Sequence, residues 1–196
     1  MYRRWGKRAF DVLGAALGLI LAAPLLVLAA AAIRLSMGPP VLFRQERAGL
    51  HGRPFLLLKL RSMRPGPGED AERLTPLGRL LRATAIDELP QLINVLRGEM
   101  SLVGPRPLPL SYLPLFDERQ RRRLAVRPGL CGLAQAAGRN AVPWARRLRL
   151  DQAYLRRISF RRDLAIIAAC LRVVLTGRGV SAPGHATMPR FPGAGG

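Results

Sequence analysis

A chain of 196 residues carrying 32 basic and 12 acidic side chains, a formal net charge of +20, is long enough for one domain with a modest core and attachments. That charge points to anionic partners: nucleic acid, anionic lipid headgroups or phosphorylated substrates. The two cysteines, Cys131 and Cys170, have neither CxxC spacing nor a surrounding His or Cys cluster, so neither a zinc site nor a disulfide framework is indicated, and they fit a reducing compartment. Only Lys7 and Lys59 are lysines. An arginine bias of this kind follows from genome composition or from a preference for bidentate phosphate contacts.

The first element is VLGAALGLILAAPLLVLAAAAI, 22 residues between Asp11 and Arg34 without a charge. At about 1.5 Å per residue it matches a hydrocarbon core of about 30 Å. It is too long for a signal-peptide core and no convincing cleavage site follows it. Two features argue against a simple crossing. Pro24 sits mid-run, where it removes the bond to the carbonyl of Ile20. Both flanks are positive, with Arg3, Arg4, Lys7 and Arg8 before and Arg34, Arg44 and Arg47 after, which places both ends on the cytoplasmic side. A re-entrant helix–break–helix over residues 1–36 satisfies both features. Composition alone leaves re-entrant and spanning arrangements open.

Residues 40–63 alternate apolar runs around a Gly/His/Arg turn and predict a β-hairpin, roughly Val41–Gln45 with Phe55–Lys59. RPGPGEDAERLTP (64–76) reads as a mobile loop, followed by a short helix near Leu77–Arg82. In TAIDELPQL, Asp87 is placed as the N-cap of a helix with an apolar face of Leu89, Leu92, Ile93 and Leu96, ended by Gly98. SLVGPRPLP (101–109) is expected to be irregular because three prolines alternate through it. A charged helix is predicted over Asp117–Arg123, a glycine-punctuated turn region over 126–140 and an amphipathic helix over 143–161. LAIIAACLRVVL (164–175) reaches only about 18 Å, so it packs in the core or lies in a membrane interface. Residues 181–196 are expected to be a disordered tail. His51 and His185 read as isolated surface residues. The whole is an α+β chain, mostly α-helical, with a membrane element at 1–36 and a soluble unit at 37–180 that carries amphipathic interfacial helices.

The adjacent acids Asp87 and Glu88 stand out in so cationic a chain. Acids at a helix start are ordinarily caps and dipole partners, and acids beside arginines are ordinarily salt bridges. Their neighbours allow another reading. Arg82 lies upstream, Arg97 and Arg106 lie downstream, and Glu99 adds a carboxylate. Carboxylates among arginines suit a phosphate with a divalent cation, the arginines taking phosphate oxygens and the acids holding Mg²⁺. A carboxylate also attacks phosphorus, splitting one displacement into two.

KRAFD (7–11), the Pro24-interrupted apolar run, GPPVLFRQERAGLHGRPFLLLKLRSM (38–63), RATAIDELPQLINVLRGEMSLVGPRP (82–107) and VRPGLCGLAQAAGRN (126–140) occur in that order. With the final amphipathic helix, they resemble the bacterial sugar transferases, the monotopic polyprenyl-phosphate phosphoglycosyl transferases, from about residue 6 to 181. The resemblance implies transfer of a sugar-1-phosphate from a UDP-sugar to polyprenyl (undecaprenyl) phosphate, with release of UMP. It implies a covalent aspartyl-phosphosugar with Asp87 as nucleophile, Glu88 as partner acid and Mg²⁺ at this pair. It places Arg82 on substrate phosphate, Pro105, Arg106 and Pro107 in the nucleotide region, and Lys59 and Arg61 near the site. It makes Pro24 the break of a re-entrant membrane element on the cytoplasmic face of the inner membrane. Anionic lipid is the expected surface. The expected role is the first membrane step of exopolysaccharide, O-antigen (lipopolysaccharide) or glycoprotein glycan assembly.

Two positions depart from the family pattern: Ala23 stands where serine is common before the proline, and Glu99 where aspartate is usual. A non-catalytic membrane-bound cationic scaffold is the alternative, but it gives DELPQL and GPRP no purpose. A nucleic-acid binder is disfavoured, because aromatic residues make up only 6% and show no interleaved stacking pattern.

Overall fold

The computed structural model describes residues 2–182 and 188–193, without the side chain of Arg4. A π-helical turn, Tyr2–Gly6, leads into α1, Lys7–Met37, one helix of 31 residues. The division into two helices expected at Pro24 is absent. The lost N–H costs one bond to Ile20, while Ala- and Leu-rich turns on both sides keep the ladder going, so the proline sits inside one helix.

α1 lies along the rest of the protein rather than projecting from it. Near its start, Arg8 donates to the carbonyls of Val95 (2.6 Å) and Leu96 (2.8 Å), and Asp11 accepts from the Leu102 N–H and Ser101 Oγ, both at 2.9 Å. At its end, Arg61 Nη2 donates to Met37 O at 2.6 Å and Nη1 to Pro39 O at 3.1 Å. A helix about 46 Å long is thus fastened at both ends to the same body. Asp11, Ala15, Ala29 and Ile33 form its buried seam. Leu13, Leu17, Ile20, Leu21, Val27 and Leu28 point away, each 59–71% exposed. By length and composition this helix is able to cross a membrane, and its outward face is the kind of apolar surface that water alone does not cover in a monomeric protein.

The predicted hairpin is present and longer than expected. β1 (Leu42–Ala48) pairs antiparallel with β2 (Pro54–Leu60), with Gln45 opposite Leu57. His51 sits in its turn with φ 56°, exposed as the sequence indicated. The loop expected over 64–76 contains α2 (Asp70–Arg73), begun by a reciprocal Glu69/Glu72 capping box. α3 (Pro76–Ala83) follows with Thr75 as N-cap, accepting from Gly78 N.

The quoted acidic stretch is not a capped helix start. Ile86–Glu88 forms a 3₁₀ turn, entered through Ala85 in the left-handed region at φ 56°. The next helix, α4 (Gln91–Arg97), has Pro90 as its N-cap residue and no side-chain cap bond, so Asp87 is not its cap. Gly98 does end it, at φ 81°. Its buried side centres on Leu92 and Val95 rather than Ile93, and it also buries Gln91 and Asn94. Asn94 bonds both ways with β2, accepting from Leu58 N and donating to Leu56 O.

Residues 101–109 are not irregular throughout. β3 (Ser101–Val103) precedes the first of the prolines and pairs parallel with β4 (Gly129–Cys131). The two chains come so close here that a Cβ on Gly129 would lie 2.0 Å from Gly104 N, which only glycine avoids. Between them lies α5 (Glu118–Arg121), capped by Asp117. After β4 come α6 (Leu133–Ala136), α7 (Trp144–Arg156) and α8 (Phe160–Leu175). The expected helix over 143–161 therefore stops at Arg156, and Ser159 caps a new one.

Residues 164–175 lie within α8, which packs in the core through one face only. Asp163, Ile166 and Cys170 are buried, whereas Phe160, Leu164, Leu171 and Leu175 are 43–87% exposed. The main core joins Ala15, Leu92, Val95, Met100, Val103, Tyr154 and Ile166. A second cluster packs Ala29 and Ile33 of α1 on Leu60 and Leu81.

The expected disordered tail needs correction for residues 188–193. Phe191 is buried among Tyr112, Phe116 and Trp144, whose ring centroids lie 5.2–5.7 Å from its own, and Trp144 Nε1 donates to Pro189 O at 3.0 Å. Burial of this large apolar ring in a matching cage offsets part of the freedom that the short segment gives up. His185 lies outside the described residues.

Candidate active site

Four segments meet around the acidic pair: β2 brings Lys59, the end of α3 brings Arg82, the 3₁₀ turn brings Asp87 and Glu88, and the loop after β3 brings Arg106. The left-handed Ala85 is the bend that turns the chain inward here, a local strain that surrounding packing must hold. Lys59 Nζ donates to Glu88 Oε1 at 2.9 Å and lies 3.5 Å from Asp87 Oδ2. Arg106 Nη1 donates to Glu88 Oε2 at 2.9 Å, and Nη2 donates to Oε1.

The two acids therefore have different environments. Burial would raise the pKa of Glu88, but Arg106 and Lys59 outweigh it and hold this carboxyl well below the usual range. Asp87 is 3% exposed. Burial pushes its pKa up, with Lys59 pulling down and Glu88 pushing further up. The nearby cations oppose that rise, and burial outweighs them. Glu88 in turn raises the pKa of Arg106 further.

These residues line a cleft of about 1240 Å³. Arg44, Arg47, Lys59, Arg61, Arg64, Arg73, Arg82, Arg106, Arg139 and Arg147 face it against Asp70, Asp87 and Glu88. Low-dielectric walls with one dominant sign focus potential, so the cleft suits a multiply charged anion of nucleotide size. Arg82 is present with Nε on Ser62 Oγ at 2.9 Å, its pKa drawn down by burial. Arg61 lines the cleft while its terminal nitrogens hold carbonyls at the end of α1. Pro107 lines the cleft and accepts from Arg47 Nη1 at 3.4 Å. The Pro105 carbonyl accepts from Gly129 N at 2.9 Å, a contact that fixes the loop from behind.

Two candidates fall elsewhere. Arg97 is exposed on α4, and Glu99 accepts from Asn94 Nδ2 at 2.7 Å rather than joining the acidic pair. Its extra methylene therefore bears on the α4–β2 junction. Pro24 is remote in sequence, within α1.

The residues missed by sequence reasoning are Arg47, Arg139 and Arg147. Arg139 donates to the carbonyls of Arg82 (2.6 Å) and Ala83 (3.1 Å), and Arg147 Nη2 donates to Arg139 O at 2.6 Å. Burial lowers the pKa of Arg47 and of Arg147 to about 10. Among so many arginines no local signal singled them out, although GRN (138–140) lay inside a matching block.

Among the described residues no group of three or more His, Cys, Asp or Glu forms an all-protein site. Magnesium ordinarily takes one or two carboxylates together with substrate phosphates. Asp87 at the wall of an anion-sized cleft fits that pattern, and Glu88 would join it through the lone pair of Oε2 that Arg106 leaves open.

Comparison with known proteins follows the same line. The model of the family described as bacterial sugar transferase matches residues 2–177, so the chain belongs to that family. It is 47% identical over 195 residues to the uncharacterized sugar transferase EpsL of Bacillus subtilis (strain 168), covering 96% of both chains. It is 47% identical over 188 residues to the UDP-glucose:undecaprenyl-phosphate glucose-1-phosphate transferase of Caulobacter vibrioides, covering 87% of this chain and 70% of that one. The undecaprenyl-phosphate galactose phosphotransferase of Salmonella typhimurium is 34% identical over 195 residues, 88% of this chain and 41% of that one.

Proposed function

We propose that this bacterial sugar transferase moves a sugar-1-phosphate from a UDP-sugar to undecaprenyl phosphate and releases UMP. The observation that carries the reading is the unequal pair in the cationic cleft: Glu88 is held by Lys59 and Arg106, while Asp87, beside it, has only the longer Lys59 contact. Such a carboxylate is poised to react and its partner is poised to stay ionised. Relatives named for UDP-glucose and undecaprenyl-phosphate substrates support the same reaction class.

In the first step an Asp87 oxygen forms a bond to the sugar-bearing phosphorus, and the bond to the bridging oxygen breaks, its electron pair leaving with UMP. In the second, an oxygen of the lipid phosphate attacks the same phosphorus and the Asp87 carboxylate departs with its electron pair. Arg82, Arg106 and Lys59 neutralise phosphate oxygens and orient the donor. Mg²⁺ held by Asp87 and Glu88 would supply further charge neutralisation at the diphosphate.

The reading includes a re-entrant attachment to the cytoplasmic face of the inner membrane, aided by anionic lipid. Both ends of α1 are tied to one body and its outward face is apolar, which supports attachment from one side of the membrane. The expected place is the first membrane step of exopolysaccharide or O-antigen assembly.

The test is UMP release by nanodisc-held protein over a panel of UDP-sugars with Mg²⁺. The expected result is a stoichiometric burst without acceptor and sustained turnover with undecaprenyl phosphate. No release from any donor by folded protein would overturn the reading.

A further inference from the structure

A second cavity, of about 200 Å³, lies behind the acidic pair between the 84–89 turn, α6 and the C-terminal half of α8. It is a different kind of space from the cationic cleft. Its outer walls are apolar, with Leu89, Leu130, Leu171 and Val174. Its inner end is polar and shared: Glu88, Arg106, Arg139 and Arg147 line both this cavity and the cleft.

Three observations indicate a ligand of mixed character. Leu171 belongs at once to the cavity wall and to the exposed apolar face of α8, where it is 58% exposed, so the cavity borders that apolar surface. Arg147 is 3% exposed and its buried Nε has no hydrogen-bond partner, although it lines the shared end. Gln135, 8% exposed, also lines the cavity, and its Oε1 is buried without a partner. Buried polar atoms are nearly always satisfied, so two unsatisfied ones in one cavity wall mark a place for polar atoms of something bound. A guanidinium Nε at the inner end favours an anion, and apolar walls toward α8 favour a chain of hydrocarbon.

We infer that this cavity is the entry of the lipid-phosphate acceptor, with the first isoprenoid units against Leu130, Leu171 and Val174 and the phosphate at Arg139 and Arg147. The assignment rests on the reaction proposed above. It gives the two substrates separate approaches to one phosphorus: the nucleotide sugar through the wide cleft, the acceptor from the membrane side past α8. Glu88, at the shared wall, separates them. UMP is thereby free to leave through the cleft without displacing the acceptor.

The experiment measures the two half-reactions separately, using nanodisc-held full-length protein, the active UDP-sugar and undecaprenyl phosphate. Val174→Trp, which fills the cavity, is expected to keep a stoichiometric UMP burst while acceptor-dependent turnover falls at least tenfold. Val174→Ala, which widens it with little risk to folding, is expected to raise the KM for undecaprenyl phosphate several-fold and leave the KM for the UDP-sugar within twofold. Leu164→Ala, on the same α8 face but outside the cavity, is the control and should change neither. Acceptor kinetics within twofold of wild type in both Val174 variants would overturn the assignment, as would equal changes in both KM values in Val174→Ala. If Val174→Trp loses the burst as well, Val174→Ala decides. Absence of any burst in wild type would remove the reaction itself and the assignment with it.

Discussion

Arg106 meets Glu88 fork to fork, Nη1 on Oε2 at 2.9 Å and Nη2 on Oε1. With Lys59 also on Oε1 at 2.9 Å, both carboxylate oxygens are engaged. A carboxylate bound in this way is a poor nucleophile and a good anchor. Its task is to hold two cations at the height of the neighbouring Asp87. Glu88→Gln keeps the shape but removes the charge that orients them. Because a misplacement of about 1 Å costs about 10²-fold in rate, the UMP burst of this variant is expected to slow by about 10²-fold. A burst at the wild-type rate would show that the orientation of Lys59 and Arg106 does not depend on the charge.

Asp87→Asn tests the other member of the pair. An amide cannot displace UMP from phosphorus, so both the burst and the covalent sugar-phosphate adduct should disappear. Intact-protein mass spectrometry after incubation with donor alone reads the adduct directly. Circular dichroism should be unchanged, since the replacement is close to isosteric. A persisting adduct would move the nucleophile elsewhere.

The pH dependence follows from the same geometry. In the proposed reaction Asp87 must be ionised to attack, and burial holds its pKa above the ordinary carboxylate value, while Glu88 stays ionised well below it. The rate of the first half-reaction should therefore fall on the acid side at a pH higher than a free aspartate would give. Lys59 is the largest influence lowering the Asp87 pKa. Removing that cation in Lys59→Met raises the pKa, so the acid limb must move to higher pH. Burst rates measured from pH 5 to 8 check the direction, and a move to lower pH would contradict the arrangement.

Behind the site, Arg123 and Asp151 form a buried pair, 3% and 2% exposed at their side chains, with Arg123 Nη2 on Asp151 Oδ2 at 2.8 Å. The same Nη2 donates to the carbonyl of Arg106 at 2.7 Å, so this pair supports the loop that carries Arg106. Breaking a buried pair by removing one charge costs about 3–5 kcal/mol, because the other is left uncompensated. Asp151→Asn should lower Tm by about 10 °C, at about 2–4 °C per kcal/mol for a chain of this size. Replacing both with leucine should recover much of the loss in thermal melts, though not the position of Arg106. A single variant as stable as wild type would mean that water reaches the pair.

The membrane arrangement also has a test. Cysteines placed at Arg3 and Ser36, near the two ends of α1, are expected to react with an impermeant maleimide from the same side of the membrane. Because Arg8 and Arg61 fasten those ends to one body, Pro24→Ala should leave that labelling unchanged. Labelling from opposite sides would establish a crossing and remove the re-entrant reading.

Legibility varied with the range of the forces involved. The β-hairpin was readable because apolar runs around a Gly/His/Arg turn are local signals, and its strands differ from expectation in extent. Helix ends marked by Asp117 and Gly98 were readable for the same reason. The cap assigned to Asp87 failed because an acid before an apolar repeat is only locally a cap. Packing of Leu92 and Val95 instead starts α4 later and leaves the acids on a 3₁₀ turn. β3 was hidden because its partner, β4, lies 28 residues away, between Ser101 and Gly129, and the prolines that suggested irregularity begin only after the strand.

By itself the sequence determined the chemistry that is available: a cationic chain, an apolar N-terminal helix, and adjoining carboxylates within blocks long enough to place the family. Those properties are carried by residue type and spacing along the chain. Only the tertiary structure decided which of the many arginines face the acids, that Glu88 is clamped while Asp87 is not, that both ends of α1 return to one body, and that a second, apolar cavity opens behind the pair. Each depends on contacts between residues far apart in sequence, such as Lys59 with Glu88, Arg139 with Arg82 and Arg123 with Asp151. Local pattern carries no record of such contacts, because they are fixed only when distant segments bury their apolar faces against one another.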